Sequence, residues 1–244
     1  MKTSIITISK VITTMIAGAL VAACGLEAKS ITGSGNVITT NRNITEEFTG
    51  IAVEKGLEVV VEQSDQMAVM IEADDNLQPY IKTTVANGTL NITSDYGNYI
   101  NVTSKKVIVR MPLIKGLSTS SGAALNSKNA LRSENIALKS SSGSEINVAL
   151  EADIVNCETS SGSQITVSGK ALKLNTKSSS GSNIDATALL VNDVDSESSS
   201  ASVTKVHPIM SLKAKASSAS SIDYQGDPHK IDKKESSGGS VAAE

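Results

Sequence analysis

The sequence predicts an all-β protein: a right-handed parallel β-helix, or solenoid, of about seven coils with an N-terminal, mostly antiparallel β layer. A Ser-Ser-Gly-Ser phrase or a close variant recurs seven times, its centres 18 to 21 residues apart. Aliphatic and polar residues alternate around it, and only five of the 244 residues are aromatic, so Val, Ile, Leu and Ala must form the core. Seven coils at strand spacing would form a rod roughly 30–35 Å long.

The first 23 residues predict a lipoprotein signal peptide. Lysines precede an apolar run at residues 11–23, which is too short to span a bilayer. Residues 21–24, Val-Ala-Ala-Cys, resemble a lipobox, so we expect Cys24 to be acylated and to anchor the mature chain in the membrane. The alternative is an ordinary secretory signal with a chance cysteine. Residues 24–32 are then a tether.

The charge pattern gives no sign of a nucleic-acid partner. The formal net charge is −3, only three residues are arginine, and no basic cluster is interleaved with aromatics.

The export signal and the lipid predict a location in the cell envelope, at the outer membrane, with the surface and periplasmic faces both left open. Once Cys24 is acylated, Cys157 has no cysteine partner, so no disulfide is expected.

Residues 33–112 predict the N-terminal β layer. Short runs of alternating aliphatic residues are separated by turn signals, of which Asn87-Gly88 is the strongest because both residues tolerate positive φ. The Gly-Ser-Gly-Asn stretch at 33–36 is interpreted as a turn before a strand, since no helix follows to complete a phosphate loop. Pro112 ends the last strand of the layer.

Residues 113–241 predict the coils, and we expect them to pack with residues 33–112 as one domain. We take the second serine of each phrase as the reference serine: Ser121, Ser142, Ser161, Ser180, Ser200, Ser218 and Ser237. Nearly every copy has an aliphatic residue six positions before it and another four positions after it. These residues share the parity of the reference serine, so all are predicted to point inward along an extended chain. Each copy is therefore two short strands joined at a Ser-Gly corner, and stacking closes the core.

The residue after the reference serine is glycine in five copies and alanine in two, Ala201 and Ala219. Alanine at positive φ costs about 1–2 kcal/mol, and Asn or Asp would be the natural substitute there. We therefore interpret the position as one that requires a small residue for close passage of coils. This predicts negative φ at both alanines.

The residue before the reference serine is also a serine in all seven copies, and its parity predicts an outward position. We call this column the serine ladder, a candidate exposed site: Ser120, Ser141, Ser160, Ser179, Ser199, Ser217 and Ser236. The inward reference serines would need hydroxyl partners, either one another or corner carbonyls.

Six stretches and their order carry a family resemblance. They are GSGNV at 33–37, FTGIAV at 48–53, VVVEQ at 59–63, ADDNL at 73–77, NGTL at 87–90 and VIVRMP at 107–112. With the Ser-Gly repeats, residues 33–240 resemble the bacterial family described as "putative auto-transporter adhesin, head GIN domain", common in Bacteroidetes. Its members usually carry Ser-Gly-Ala-Gly/Ser corners, from which the present phrases depart mildly. The resemblance implies a β-helix-like fold and an envelope location, and it implies no demonstrated activity.

No catalytic residue, metal or cofactor is predicted. The turn Asp74-Asp75-Asn76 has oxygen ligands that could hold Ca²⁺, but no EF-hand or glycine-rich calcium repeat accompanies it, and a solvated turn is favoured. His207 and His229, each beside a proline at an expected coil-to-coil turn, lack further zinc ligands nearby. Cys157 falls in an inward column and is interpreted as a core thiol.

The leading functional hypothesis is a lipid-anchored envelope protein that presents a β-helical face as an adhesin-like binding head without catalytic activity. Its ligand, a glycan or a protein, is left open. The alternatives are a carbohydrate-active β-helix enzyme and a purely structural envelope scaffold. Convergence of two carboxylates, or of a carboxylate with Lys or Arg, in a groove of the rod would favour the enzyme.

Overall fold

The computed structural model describes residues 29–244, which form nineteen strands and one 3₁₀ turn; the predicted signal peptide and Cys24 lie outside this range. The N-terminal strands are β1 Ser30–Thr32, β2 Val37–Arg42, β3 Gly50–Val53, β4 Glu58–Gln63, β5 Ala68–Asp74, β6 Ile81–Ala86, β7 Thr89–Ser94, β8 Asn98–Ile100 and β9 Lys105–Met111, with the 3₁₀ turn at Asp75–Leu77. The coil strands are β10 Gly116–Thr119, β11 Ala124–Ser127, β12 Leu131–Ser140, β13 Glu145–Thr159, β14 Gln164–Ser178, β15 Asn183–Ser198, β16 Val203–Ser217, β17 Ser221–Tyr224, β18 Lys230–Ser236 and β19 Ser240–Ala243. Within residues 29–244, no helix is long and apolar enough to cross a membrane.

The coil strands stack in parallel, and most residues pair with their equivalents one coil later, apart from register shifts in the pairings of β15 with β14 and β16. The column six positions before the reference serine is in register, as Ile136, Val155 and Leu174 show. The column four positions after it is also in register and fully buried. The predicted all-β solenoid of about seven turns is confirmed.

Each corner contains two successive residues with positive φ. The φ values of the reference serines are between 49° and 55°, and Ala201 and Ala219 have φ of 59° and 60°. The prediction of negative φ at these alanines is wrong. The N–H of Ser202 donates to the carbonyl of Ser199 at 3.3 Å, which closes the pair as in a type I′ turn, where both central residues need φ > 0.

Close packing does not explain the small residue at the corner. A Cβ built on Gly162 meets no atom within 4 Å, and the same is true at Gly122, Gly143 and Gly181. Glycine is therefore favoured for its backbone conformation alone, and alanine is tolerated at a conformational cost.

The reference serines are exposed, contrary to the inward position that parity predicted. The two left-handed residues reverse the chain, so the alternation of sides is interrupted at them and resumes beyond. The buried hydroxyls flank the reference serine: Ser144, Ser163, Ser182, Ser202 and Ser220 lie two positions after it, and Thr119, Ser140, Thr159, Ser178 and Ser198 lie two positions before it. Ser163 Oγ lies 2.8 Å from the carbonyl of Ser160 and accepts its N–H at 3.2 Å, so corner groups satisfy the buried hydroxyl.

A series of backbone hydrogen bonds joins successive corners. The N–H of the second turn residue donates to the carbonyl of the next reference serine at 3.0–3.1 Å, from Gly122 to Ser142 and on to Ser237. This series of hydrogen bonds begins one coil earlier, where the N–H of Gly56 donates to the carbonyl of Ser121 and Lys55 has φ of 57°. Residues 54–57 thus form an eighth corner, which the sequence Glu-Lys-Gly-Leu did not reveal.

The N-terminal layer combines three antiparallel pairings with strands that continue the stack. The antiparallel pairs are β2·β5, β5·β9 and β6·β7. Strands β3 and β4 pair in parallel with β10 and β11 on one side and with β7 and β9 on the other. The buried side chains of the layer and the coils therefore form one core.

The boundary of the predicted tether needs correction. The tether was predicted to extend to residue 32, but Ser30–Thr32 forms β1 and pairs in parallel with β8. Ile31 packs against the core, which gives this segment an apolar reason to be ordered.

The last coil covers the end of the core with charged side chains. Lys233 and Glu235 continue the columns of the buried residues Ala214 and Ala216. Lys233 Nζ lies 4.7 Å from the ring centroid of Tyr224, and Glu235 Oε1 accepts the N–H of Val241 at 2.6 Å. Inward-pointing charges at an open sheet edge oppose edge-to-edge association.

The corner conformation predicts opposite effects for two exchanges. Gly162→Ala should lower the free energy of unfolding by about 1 kcal/mol, and Ala201→Gly should raise it by up to about 1 kcal/mol. Urea denaturation measures both. Ala137→Gly, in a strand without positive φ, is the control and should only destabilise. A stabilising effect of Gly162→Ala would contradict the interpretation.

The charged end predicts that its removal causes self-association. Lys233→Val/Glu235→Val should form dimers or larger species in sedimentation velocity, because the last coil would then present an apolar, unpaired edge. Asp232→Val/Lys234→Val removes the same charges from outward positions of the same strand and should sediment as the wild type. Equal association of both variants would show that the general replacement of charged side chains by valine, and not the loss of the cap, controls the behaviour.

Candidate functional site: an axial groove beside the serine ladder

The structure brings the serine ladder into one column along the rod. The N–H of Ser160, for example, donates to the carbonyl of Ser140 one coil earlier, which aligns it with Ser141. Six ladder serines are half-buried and Ser236 is exposed. In the part of the chain that the structure describes, no protein hydrogen bond uses a ladder Oγ, so these hydroxyls can bind a ligand.

A column of charged residues, alternating in sign as far as Lys215, runs beside the serine ladder, three positions before the reference serines. Its members pair in register along the stack: Lys139, Glu158, Lys177, Glu197, Lys215 and Lys234. Lys139 Nζ lies 3.1 Å from Glu158 Oε2, and Lys215 Nζ lies 2.6 Å from Glu197 Oε1. The hydrogen bond from Lys215 holds the pKa of Glu197 below its usual value and raises the pKa of the lysine.

A groove lies between these two columns and follows the rod axis. It consists of two cavities of about 420 Å³ each, which share Glu158 and Ser160. It begins at Asn91 and Thr93 of β7 and continues to Lys215 and Ser217. Eight strand layers line it, so it is about 34 Å long at ~4.8 Å per layer. We call it the axial groove.

An amide and acidic column borders the other side of the charged column. Asn156, Asn175 and Asp195 line a further cavity of about 420 Å³ there. Asn175 Nδ2 donates to Asn156 Oδ1 at 2.9 Å, and Lys213 donates to Asp195 at 2.8 Å. The outward face before the corner is therefore mostly polar and rich in hydrogen-bonding groups.

A second groove of about 1040 Å³, lined by both apolar and charged side chains, lies elsewhere on the rod. Its lining includes Leu113, Leu172, Leu190 and Ile209, which are 43–54% exposed. Sequence reasoning missed it because its walls lie outside the columns that the corner phrase defines, although Arg132, Glu151, Lys170 and Leu190 pair in register there. The register shift between Ala186 and Leu190 leaves Leu190 exposed beside the buried Leu189, and only the paired strands reveal this.

The turn at Asp74-Asp75-Asn76 joins neighbouring segments of the chain by hydrogen bonds, and we call it the clasp. Asp74 is fully buried, and its carboxylate accepts the N–H groups of Gly35, Thr103 and Ser104 at 2.9–3.1 Å. Burial raises the pKa of Asp74, but these three donors outweigh it and hold the pKa below its usual value. The expected solvated turn is therefore wrong for Asp74.

The neighbouring acidic and amide groups of the turn also have protein partners. Asp75 accepts from Ser34 and Asn36, and Asn76 accepts the N–H of Ser34. The Gly-Ser-Gly-Asn stretch is the predicted turn before β2, and a Cβ on Gly33 would overlap Asp74 Oδ2. Hydrogen-bond donors of the protein therefore occupy oxygen atoms of all three side chains of the clasp.

The remaining candidate groups are placed apart. Cys157 is buried between Leu138 and Thr176 of the adjoining coils, and burial raises its pKa to about 12, so the thiol stays protonated. His207 lies within β16, paired with Leu190, and not at the predicted turn, whereas His229 precedes β18. Residues 29–244 contain no group of three or more His, Cys, Asp or Glu side chains suited to a metal ion.

Comparison with known families agrees with this architecture. Residues 47–228 match the family described as "Putative auto-transporter adhesin, head GIN domain". The chain belongs to this family. The resemblance seen in the sequence is therefore confirmed, and the match covers most of this GIN-domain head, including six of the seven Ser-Gly corners.

Solved structures share the fold. A crystal structure of a "putative adhesin" from Bacteroides fragilis NCTC 9343 is 21% identical, with a TM-score of 0.80 over 88% of this chain and 100% of that chain. A "putative lipid binding protein" from Parabacteroides distasonis ATCC 8503 is also 21% identical, with a TM-score of 0.71 and the same coverage. A "putative adhesin" from Parabacteroides merdae ATCC 43184 is 19% identical, with a TM-score of 0.68 over 89% of this chain and 100% of that chain. No curated protein matches the chain.

The clasp predicts a pH-dependent loss of stability. The lowered pKa of Asp74 contributes stability above about pH 4, and this contribution is lost as the pH falls through the folded-state value. Asp74→Asn should therefore cost about 2 kcal/mol at pH 7, because backbone donors lose a charged acceptor, and less at pH 3. Urea denaturation at both pH values measures this. Asp65→Asn, at an exposed turn, is the control and should change little; a cost at Asp74 independent of pH would refute the electrostatic account.

Proposed function

We propose that this protein is a non-enzymatic binding head of the adhesin type, held at the cell envelope by an acylated Cys24, and that it binds its ligand through the axial groove. The observation that carries the proposal is the groove itself, which lines up serine hydroxyls free of protein hydrogen bonds across a polar face. Membership of an adhesin-head family supports a binding role at the envelope or cell surface.

The rigidity of the coil stack supports a binding role. The groove walls are held in one conformation by the parallel pairing on both sides of each coil and by the backbone hydrogen bonds between successive corners. A preformed site binds without an ordering cost, which leaves more of the contact energy for affinity. Each coil repeats the same polar surface, so the face suits an extended ligand.

The acidic groups of the groove favour binding over hydrolysis. A carboxylate and a lysine do converge there, which is the arrangement that would favour an enzyme, but as ion pairs between adjacent coils. A glycosidase needs one carboxyl group with a raised pKa to protonate the leaving group. The lysine beside Glu197 has the opposite effect and keeps this carboxylate ionised.

The lipid anchor would determine how far the head lies from its membrane. Acylation at Cys24 would leave only a few residues between the lipid and β1 at Ser30. The head would therefore stay close to its membrane, at the outer membrane in the proposed arrangement. Protease treatment of intact cells measures whether the head faces the cell surface or the periplasm.

The anchor is tested by comparing the two cysteines of the chain. Cys24→Ala should move the protein from the membrane fraction to the soluble fraction, because the acyl chains are lost. Cys157→Ala is the matched control and should stay in the membrane fraction, since that thiol is buried in the core. Membrane retention of Cys24→Ala would contradict the anchor.

The binding role is tested with the acylated wild type in detergent on an array of glycans and matrix proteins. Protease added to intact cells should remove the protein if the head is displayed outward. Binding of no array component, together with protection from protease, would favour a structural scaffold. Turnover of a polysaccharide on the same panel would overturn the non-enzymatic proposal.

A further inference from the structure

We infer that the axial groove binds a linear, uncharged polysaccharide that lies along the rod axis, at about one sugar per coil. This inference rests on the proposed binding function and specifies its ligand. It follows from four properties of the groove: its spacing, its hydrogen-bonding groups, its charge balance and its paired backbone.

The spacing of the groove suits a pyranose chain. Equivalent side chains recur at about 4.8 Å, the separation of paired strands. One pyranose ring with its glycosidic oxygen advances a linear chain by nearly the same distance. An extended peptide advances about 3.3 Å per residue, so its side chains fall out of step with the coils.

The hydrogen-bonding groups of the groove match sugar hydroxyls. Each ladder serine can donate one hydrogen bond and accept others, as a sugar hydroxyl does. On the opposite wall, lysine ammonium groups donate and glutamate carboxylates accept, in alternation. Thr93, Asn91 and Glu54 continue the polar lining into the N-terminal layer. A hydroxyl-rich chain therefore meets a donor and an acceptor at every step.

The charges of the groove balance. Its lining contains three lysines and three glutamates: Lys139, Lys177, Lys215, Glu54, Glu158 and Glu197. The cross-coil ion pairs Lys139–Glu158 and Lys215–Glu197 compensate most of them locally. A polyanion would need an excess of basic groups to repay its desolvation, so an uncharged polymer fits this groove better.

The backbone of the groove is not available to a peptide strand. The groove lies on the face of the sheet, where each strand already pairs with a coil on either side. A peptide that binds by strand addition needs an unpaired edge. Contacts with the ligand are therefore made by side chains.

The absence of aromatic side chains from the axial groove predicts how affinity depends on ligand length. No aromatic residue lines the described groove, so no sugar stacks on a ring and each coil contributes only weak hydrogen bonds. Affinity must then accumulate over many coils of one rigid site. It should rise with chain length until the ligand spans the eight layers and level off beyond that.

The test measures binding of uncharged linear gluco- and mannooligosaccharides, from disaccharides to chains longer than the groove, to the full acylated protein in detergent micelles. Isothermal titration calorimetry should show affinity rising up to about the octasaccharide. Ser160→Leu/Ser179→Leu fills the middle of the groove and should lose at least about tenfold in affinity. Ser160→Ala/Ser179→Ala keeps the groove open and removes only hydroxyls, so it should lose severalfold.

The matched control changes the other outward face of the same coils. Asn147→Leu/Thr166→Leu should bind as the wild type, because these residues point outward beyond the corner. Circular dichroism melting of all variants separates a lost site from a lost fold. If the leucine variant unfolds, the alanine variant alone decides the outcome.

The outcomes separate the ligand from the function. Groove-dependent binding of a protein or of an acidic polysaccharide, with none of the neutral chains bound, overturns this inference and leaves the binding function standing. Binding of neutral chains that is equal in all variants also overturns it. Failure to bind anything overturns both. Release of new reducing ends supports the ligand class and overturns the non-enzymatic function.

Discussion

The structure depends on one backbone constraint, the pair of left-handed residues at every corner. Serine adopts φ near 54° and the next residue φ near 60–70°, a combination that only a few residues accept without strain. The resulting tight turn has the same geometry in every coil, so each corner lies directly beside the next one. The N–H of the second turn residue therefore reaches the carbonyl of the next reference serine. Register, core columns and surface columns all follow, because each coil is positioned by the corners above and below it.

The small polar residues that flank the corner are a consequence of this geometry. The N–H and carbonyl groups at the turn have backbone partners, as Ser160 shows by donating to Ser140 and accepting from Ser163, and each makes a second hydrogen bond to a side chain. Serine two positions after the reference has a hydroxyl short enough to bond both of them, as Ser163 does with Ser160. The low-complexity appearance of the chain therefore reflects repeated hydrogen bonding at the positions that flank the corner, and the aliphatic columns supply the hydrophobic stabilisation further from the corner.

The same repetition determines what the surface can recognise. Outward columns repeat at strand spacing, so a ligand meets a polar side chain at an equivalent position of each coil and binds as a polymer or across a plane. The axial groove and the groove that exposes Leu172 and Leu190 are two different surfaces on one rod. The fold supports either kind of binding, and it is the chemistry of the columns that favours hydroxyl-rich chains in the first groove.

The sequence by itself determined the period, the solenoid, the aliphatic columns and the family, because stacked coils make positions twenty residues apart chemically equivalent. Only the tertiary structure decided the exposure of Ser121 and its equivalents, the positive φ at Ala201, the corner at Lys55-Gly56 and the burial of Asp74. Strand parity describes an extended chain and fails where two left-handed residues reverse it. The axial groove was also beyond the sequence, since its walls come from eight separate layers that meet only when the coils are in register.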